Sequence, residues 1–215
     1  MSAKIYFACL LLGMGGMIPL THAQKERHYN LSDLLKKNLL VTTPSQQTQI
    51  LENSLPGAIS TRGVVWCKDI RFTEGTIDID LRGKNVFLQS FLGIAFHGSN
   101  ESTFDVLYFR PFNFRHADSL RRKWSVQYMS LPDYPFDRLR KEHPLVYENA
   151  VTPVPEPDGW FHAKIVIREN WITVYVDHSS EPSLHVRLLN DRTGAMFGLW
   201  DDELSGDFAN LTITQ

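Results

Sequence analysis

Asp78 and Asp80 lie two residues apart in a segment, 76–81, whose polar and apolar residues alternate strictly. In an extended chain such residues share a face about 7 Å apart. Two carboxylates near that spacing can divide acid and base duties in glycoside hydrolysis. An alternating strand also has a wet side, and both aspartates are equally suited to that. A second set begins at 108–114, YFRPFNF. Tyr108 and Arg110 fall on one face of an extended chain and Phe109 on the other. A phenol ring beside a guanidinium suits stacking on a sugar and forking to its hydroxyls or to a carboxylate. The same Arg110 can also pair with Asp80 across neighbouring strands.

Further candidates follow along the chain. Asn113 and Gln127 carry amides able to hold hydroxyls. Gln127 and Tyr128 are adjacent and take opposite strand faces, so at most one reaches a site directly. The stretch 131–159 contributes Arg138, Arg140, Glu142, His143 and Glu148. Glu148 serves either as a catalytic acid or in a rim ion pair with Arg138 or Arg140. Trp200 is a candidate stacking platform. Asp201, Asp202, Glu203 and Asp207 offer oxygen ligands, but in no known calcium-loop spacing, so no cofactor is called for. The six histidines from His97 to His185 lack zinc-ligand spacing. Nucleophile elbow, phosphate loop and dinucleotide fingerprint are all missing.

The elements that must hold these residues are mainly strands. Segments 64–72, 76–81, 91–97, 104–110, 124–130, 161–167, 171–177, 184–188, 196–200 and 208–213 read as strands between turn residues. Residues 30–40 are the best helix candidate, with Leu31, Leu34, Leu35 and Leu39 on one face and Asn30 or Ser32 as cap. Residues 42–62 read as loop or short edge strand. The prolines of 131–159 forbid central strands there. Its aromatic residues favour an ordered lid or rim. No long helix alternates with the strands, which excludes a parallel sheet and leaves an antiparallel sandwich or jelly roll.

Composition narrows the function. The 215 residues hold 22 Lys+Arg against 24 Asp+Glu, a balance that excludes nucleic-acid binding through bulk positive charge. Hydrophobic residues at 43% exclude a disordered chain. Two cysteines, Cys9 and Cys67, exclude a disulfide framework. Lys4, the apolar run 5–20 and Thr21-His22-Ala23 form a secretory signal cut after Ala23, which predicts a secreted or periplasmic protein. Cleavage leaves Cys67 as a lone thiol in an apolar strand, a small core residue. No later apolar run is long enough to span a membrane. The expected organisation is a signal over 1–23, an N-terminal segment with a short helix over 24–59, and one domain over 60–215.

Eight segments together carry a resemblance: 72–80 FTEGTIDID, 93–96 GIAF, 108–111 YFRP, 126–128 VQY, 160–165 WFHAKI, 174–177 VYVD, 198–200 GLW and 207–211 DFANL. In this order they resemble the concanavalin A-like jelly rolls of the laminin-G and glucanase superfamily. The nearest look is to bacterial 3-keto-disaccharide hydrolase-type domains. The resemblance implies an all-β fold of two stacked antiparallel sheets, with ligands on the concave face or its loop rim. Its members include glycoside hydrolases, sugar-binding modules and laminin-G-type protein or glycan binders. The Glu-x-Asp-x-x-Glu run of glucanases is not reproduced, because its nearest match, Asp78-Ile79-Asp80, has no Glu.

The expectation is therefore a carbohydrate-engaging jelly roll, with two readings. In the first it is a glycoside hydrolase with Asp80 or Glu148 as general acid or base. Asp78, Tyr108, Arg110, Asn113, Gln127 and Arg140 would contact the sugar, with Tyr128 and Trp200 as stacking surfaces. That version requires Asp80 and Arg110 to face one cavity within about 8 Å. In the second it is a non-catalytic glycan- or protein-binding module.

Overall fold

The structure, a computed structural model, describes residues 24–42 and 47–215. The export signal read at 1–23 lies outside the described residues. Two antiparallel sheets stack face to face. The larger has eight strands, here numbered along the chain. In order it runs β13 (Leu184–Arg187), β12 (Trp171–Val176), β11 (Phe161–Arg168), β6 (Gly75–Arg82), β15 (Gly206–Thr214), β4 (Ile59–Thr61) and β3 (Gln49–Ile50), with β1 (Glu26–Tyr29) also paired to β15. The seven-stranded sheet runs β10 (Glu148–Asn149), β9 (Val126–Leu131), β8 (Thr103–Phe109), β7 (Ser90–Asn100), β14 (Met196–Glu203), β5 (Val64–Arg71) and β2 (Leu40–Val41).

The period-2 pattern places the core between the sheets. Ile77, Ile79 and Leu81 of β6 point inward with Ile165 and Ile167 of β11 and Val174 of β12. Leu92, Ile94 and Phe96 of β7 meet them from the other sheet, with Leu107 and Phe109 of β8 and Phe197 and Leu199 of β14. Hence Asp78 and Asp80 point away from the core on one side of the sandwich. Tyr108, one residue out of phase with Leu107 and Phe109, points away on the other. Each of the ten predicted strands has a counterpart. The turn between β11 and β12 places Glu169 and Asn170 both in the left-handed region, at φ 49° and 65°, as a two-residue hairpin that matches strand twist requires.

Two regions differ from the sequence reading. The helix α1 (Leu31–Lys36) is shorter than 30–40. Asn30 is its cap and accepts from Asp33 N at 3.1 Å. Asn38 then turns at φ 56°, which frees Leu40 to enter β2 opposite Cys67. The segment before residue 60 contributes strands to both sheets: β1 and β3 to the larger and β2 to the smaller. Its Leu31 and Leu40 are core residues. The stretch 131–159 is ordered around α4 (Phe136–Glu142) and the short strand β10. Two further single-turn helices, α2 (Pro111–Phe114) and α3 (Ser119–Arg122), link β8 to β9. Cys67 is buried, and burial pushes its thiol up to about 12, so it is an inert core residue.

Candidate functional site

The outer face of the seven-stranded sheet is not a polar face. Trp66, Phe104, Val106, Tyr108, Met129 and Trp200 form a second apolar cluster there, and Leu139 of α4 packs onto it. Ring contacts tie its centre together. Tyr108 lies 5.0 Å from Trp200 between centroids, and Phe91 lies 6.2 Å from Tyr108. Between the 83–89 turn and α4 this face sinks into a pocket of about 170 Å³. Tyr108, Trp200, Phe91 and Met129 line it with Arg110, Arg140 and Asp202. Leu88 and Phe136, 55% and 48% exposed, are apolar residues on its lining that water still reaches.

Behind the rings lies a buried polar network. The Tyr108 hydroxyl donates to Gln127 Oε1 at 2.8 Å, and Arg110 Nη2 reaches both that hydroxyl and Gln127 Oε1. Arg110 Nη1 donates to the Trp124 carbonyl at 2.9 Å, and Asn113 Nδ2 donates to the same oxygen at 3.1 Å. Burial lowers the Arg110 guanidinium below its ordinary value, and the nearby Arg140 charge acts in the same direction against Tyr108 and Glu148. Burial pushes the Tyr108 phenol up to about 12, so it stays a neutral donor. Arg140 forks onto Glu148 with Nε–Oε1 3.0 Å and Nη2–Oε2 2.7 Å. Its guanidinium covers the Trp124 ring at 4.1 Å. Arg110 Nη1 stands 3.7 Å from the same carboxylate. Three atoms near this network have no protein hydrogen-bond partner: Gln127 Nε2, Asn113 Oδ1 and Ser125 Oγ.

The structure thus brings Tyr108, Arg110, Arg140 and Trp200 to one pocket lining, with Asn113, Gln127 and Glu148 in the hydrogen-bonded network behind it. The register explains it. Tyr108 pairs with Gln127 across β8 and β9, and Gln127 pairs with Glu148 across β9 and β10, so the three share one row. The rim pairing of Glu148 is made by Arg140. Arg138 pairs with Glu142 instead, at 2.9 Å.

The other sequence candidates lie elsewhere. Asp78 and Asp80 sit on the outer face of the eight-stranded sheet, with the whole core between them and Arg110, so the single-cavity arrangement of Asp80 with Arg110 is not formed. Asp80 is committed to other partners. His162 Nδ1 donates to Asp80 Oδ1 at 2.8 Å and its Nε2 to Asp78 Oδ1 at 3.2 Å. Asn210 Nδ2 donates to Asp80 Oδ2 at 2.7 Å. Burial pushes the Asp80 carboxyl up, but the hydrogen bonds from His162 and Asn210 and the charge of His162 outweigh it. The net value lies below the usual carboxylate range, the wrong direction for a general acid. The hydrogen bonds to Asp78 and Asp80 raise His162 to about 9. An NMR pH titration of the His162 ring should therefore find a midpoint near 9, moving toward the ordinary histidine range in Asp78→Asn and further in a double Asp78→Asn, Asp80→Asn variant. A parent midpoint near the ordinary value would show that the bridge does not form in solution.

Tyr128 is a further correction. It takes the face opposite Gln127 and is buried between the sheets against Phe96 at 6.2 Å, so no sugar can stack on it. Of the late acidic residues, Asp201 is buried and accepts from Gly63 N at 2.8 Å. Asp207 is held by Arg82 at 2.8 Å. Among the described residues no group of three or more His, Cys, Asp or Glu is placed to hold a metal ion. Phe91, Met129, Leu88 and Phe136 belong to the pocket and were missed. Phe91 and Met129 were signalled by alternation, since each is out of phase with an inward neighbour. Leu88 and Phe136 carry no such signal, because turn and helix geometry place them.

Depressions larger than this pocket also occur among the described residues. One, about 520 Å³, lies beside β1 and β15 and is lined by His28, Asn30 and Pro56 among others. Another, about 340 Å³, is lined by His97, Asn190 and Arg192. Neither has a paired-ring floor. His97 at the second is tied to Asp105 at 3.0 Å and to the Thr73 carbonyl at 2.6 Å.

No family model matches the chain, and no curated protein does. Solved structures match it at low identity. The carbohydrate recognition domain of Emp46p has a TM-score of 0.54 at 12% identity, over 86% of this chain and 94% of that one. A protein of unknown function with a galectin-like fold from Bacillus subtilis has a TM-score of 0.52 at 11% identity, over 89% and 98%. The carbohydrate binding module CBM66 from the same organism has a TM-score of 0.52 at 11% identity, over 78% and 94%. The fold is a concanavalin A-like two-sheet jelly roll.

Proposed function

We propose that this protein is a carbohydrate-binding module whose ligand sits in the pocket floored by Tyr108 and Trp200. The observation that carries the reading is one small depression whose lining combines two packed rings, Tyr108 and Trp200, with the guanidinium groups of Arg110 and Arg140. Sugar recognition needs both, because the apolar face of the pyranose stacks while its hydroxyls are held at the ring edge. The volume suits one sugar ring rather than a long groove. The fold neighbours that are a carbohydrate recognition domain and a carbohydrate binding module support a ligand of this class. With 1–23 read as an export signal, the protein would meet that ligand outside the cytoplasm.

The hydrolase alternative is less well supported. Cleavage by either common mechanism needs two carboxyl groups flanking the bond. Asp202 is the one carboxylate lining the pocket among the described residues. Glu148 is buried and forked onto Arg140, and Asp80 is on the far sheet.

The test is titration calorimetry of the chain from residue 24 against mono- and oligosaccharides, with reducing-sugar release measured in the same mixtures. Binding without release is expected. Replacing Trp200 with Ala should weaken binding by at least about tenfold, because truncating a buried aromatic anchor removes a large part of the contact energy. Far-ultraviolet circular dichroism checks that the variant folds, and Leu88→Ala, at an exposed lining residue, gives a second and milder reduction. Release of reducing sugar would restore the enzyme reading, and unaltered binding in both variants would move the ligand away from this pocket.

A further inference from the structure

The pocket's polar wall is unbalanced in a way that rings and hydroxyls alone do not explain. Arg110 and Arg140 both line it, and each guanidinium carries five N–H donors and no acceptor. Their protein acceptors are few. Arg140 spends two donors on Glu148. Arg110 is satisfied by the Trp124 carbonyl, the Tyr108 hydroxyl and Gln127 Oε1. Behind the lining the unpartnered atoms are mixed: Gln127 Nε2 is a donor, Asn113 Oδ1 an acceptor and Ser125 Oγ can be either. The Tyr108 hydroxyl has turned its proton toward Gln127. On the lining itself donors exceed acceptors, since Arg110 and Arg140 bring only donors and Asp202 is the one carboxylate there among the described residues.

Charge gives the same imbalance. One buried carboxylate, Glu148, stands between two guanidinium groups, at 2.7 Å from Arg140 and 3.7 Å from Arg110. Asp202 is the other anion nearby. It is exposed and accepts from the Glu203 amide, so water screens it more than it screens the buried pair. On the inner wall the buried Arg110 and the Arg140 side chain, 31% exposed, share the single buried carboxylate of Glu148.

Resting on the carbohydrate-binding reading, we infer that the ligand is an acidic sugar, a hexuronate residue, whose carboxylate is received by the partly exposed Arg140, with the buried Arg110 charge behind it, while its ring enters the pocket lined by Tyr108 and Trp200. A carboxylate is acceptor-only and takes up to four hydrogen bonds, which matches a donor-rich, cationic wall. Arg140 keeps its fork to Glu148 through Nε and Nη2 and offers Nη1 to the ligand. A neutral sugar hydroxyl brings its own donor and no charge, and fits this wall less well.

The probes are glucuronate and galacturonate oligosaccharides, each titrated beside the neutral glucose or galactose oligosaccharide of the same length and linkage. The uronate is expected to bind about tenfold tighter than its neutral counterpart, as a charge-assisted contact does. That preference should shrink severalfold between about 50 and 500 mM NaCl, since the ligand approaches through a partly exposed mouth. Asp202→Asn, at an exposed position of the lining, should raise the preference for the uronate over the neutral sugar about threefold by removing a like charge. Equal or tighter binding of the neutral sugar would overturn the acidic-ligand inference and leave the carbohydrate-binding reading standing. Failure of every sugar to bind would overturn both.

Discussion

Above pH 7 the Asp201→Asn variant should be more stable than the parent chain. Asp201 lies on β14, is 2% exposed, and its Oδ2 has no protein hydrogen-bond partner. Burial pushes its carboxyl up to about 8 against the opposing hydrogen bonds from Gly63 and Gly206, with Asp202 adding in the same direction as burial. In the unfolded chain the same group titrates near 3.9. Between those two values the folded state holds a proton that the unfolded state has lost. Stability is therefore full below about pH 4 and falls as the pH rises to about 8, at about 1.4 kcal/mol per pH unit for one proton. From pH 5 to pH 7 the loss is about 2–3 kcal/mol. Asparagine cannot ionise, and its Oδ1 still accepts from Gly63 N, so this decline should vanish in the variant. His162 contributes with the same sign in a later window. Its folded value near 9 lies above the ordinary histidine value, so its stabilisation is present below about pH 6.5 and is lost as the pH rises through 9. Urea unfolding at intervals from pH 5 to 9 separates the two. The parent should fall across the whole range and Asp201→Asn only in its upper half. Parallel curves for parent and variant would show that Asp201 is ionised in the folded protein.

The second large effect is at Glu148. Replacing it with Gln should cost about 3–5 kcal/mol of folding free energy, because the loss of this partner strands Arg110 as buried charge. Arg110 is 4% exposed and cannot turn to water, and Arg140 is held over Trp124. Denaturant unfolding at neutral pH measures this directly. A much smaller cost is expected for Arg138→Gln, whose partner Glu142 is on the solvated face of α4. If Glu148→Gln leaves the unfolding midpoint unmoved, the network does not stabilise the fold and Glu148 is free for another role. The expected cost also explains why a carboxylate on a Pro-rich stretch is buried: it ties α4 and β10 to the sheet edge and shapes the pocket wall.

Much of the architecture was legible from period alone. Alternation along β6 states that Asp78 and Asp80 share a face and that Ile77, Ile79 and Leu81 share the other. The residues 108–110 say the same of Tyr108 and Arg110 against Phe109. Alternation is local, however, and says only that a strand has two faces. It does not say which strands share a sheet. Asp80 and Arg110 are each outward-facing, and both readings of their pairing began from that fact. Because β6 entered the larger sheet and β8 the smaller, their outward faces became opposite sides of the molecule. Tyr128 against Gln127 is the same ambiguity within one strand. The outward face of β9 is the one that aligns with Tyr108 and Glu148, and that depends on register with neighbours far away in the sequence.

What the sequence determined by itself is what short-range sterics and hydrophobic burial decide: where strands run, and that a helix capped by Asn30 or Ser32 follows near residue 31. It also contained the residue types of the site, with Tyr108, Arg110, Gln127, Glu148, Arg140 and Trp200 each visible as a candidate. Only the tertiary structure decided their company. Sheet order carried Asp80 away from them. The path of 131–159 brought Arg140 to Glu148 and turned a possible acid into a buried ion pair. The physical reason is that strand pairing and ion pairing are contacts between residues tens of positions apart, and their energies depend on burial that exists only once both sheets have closed on each other.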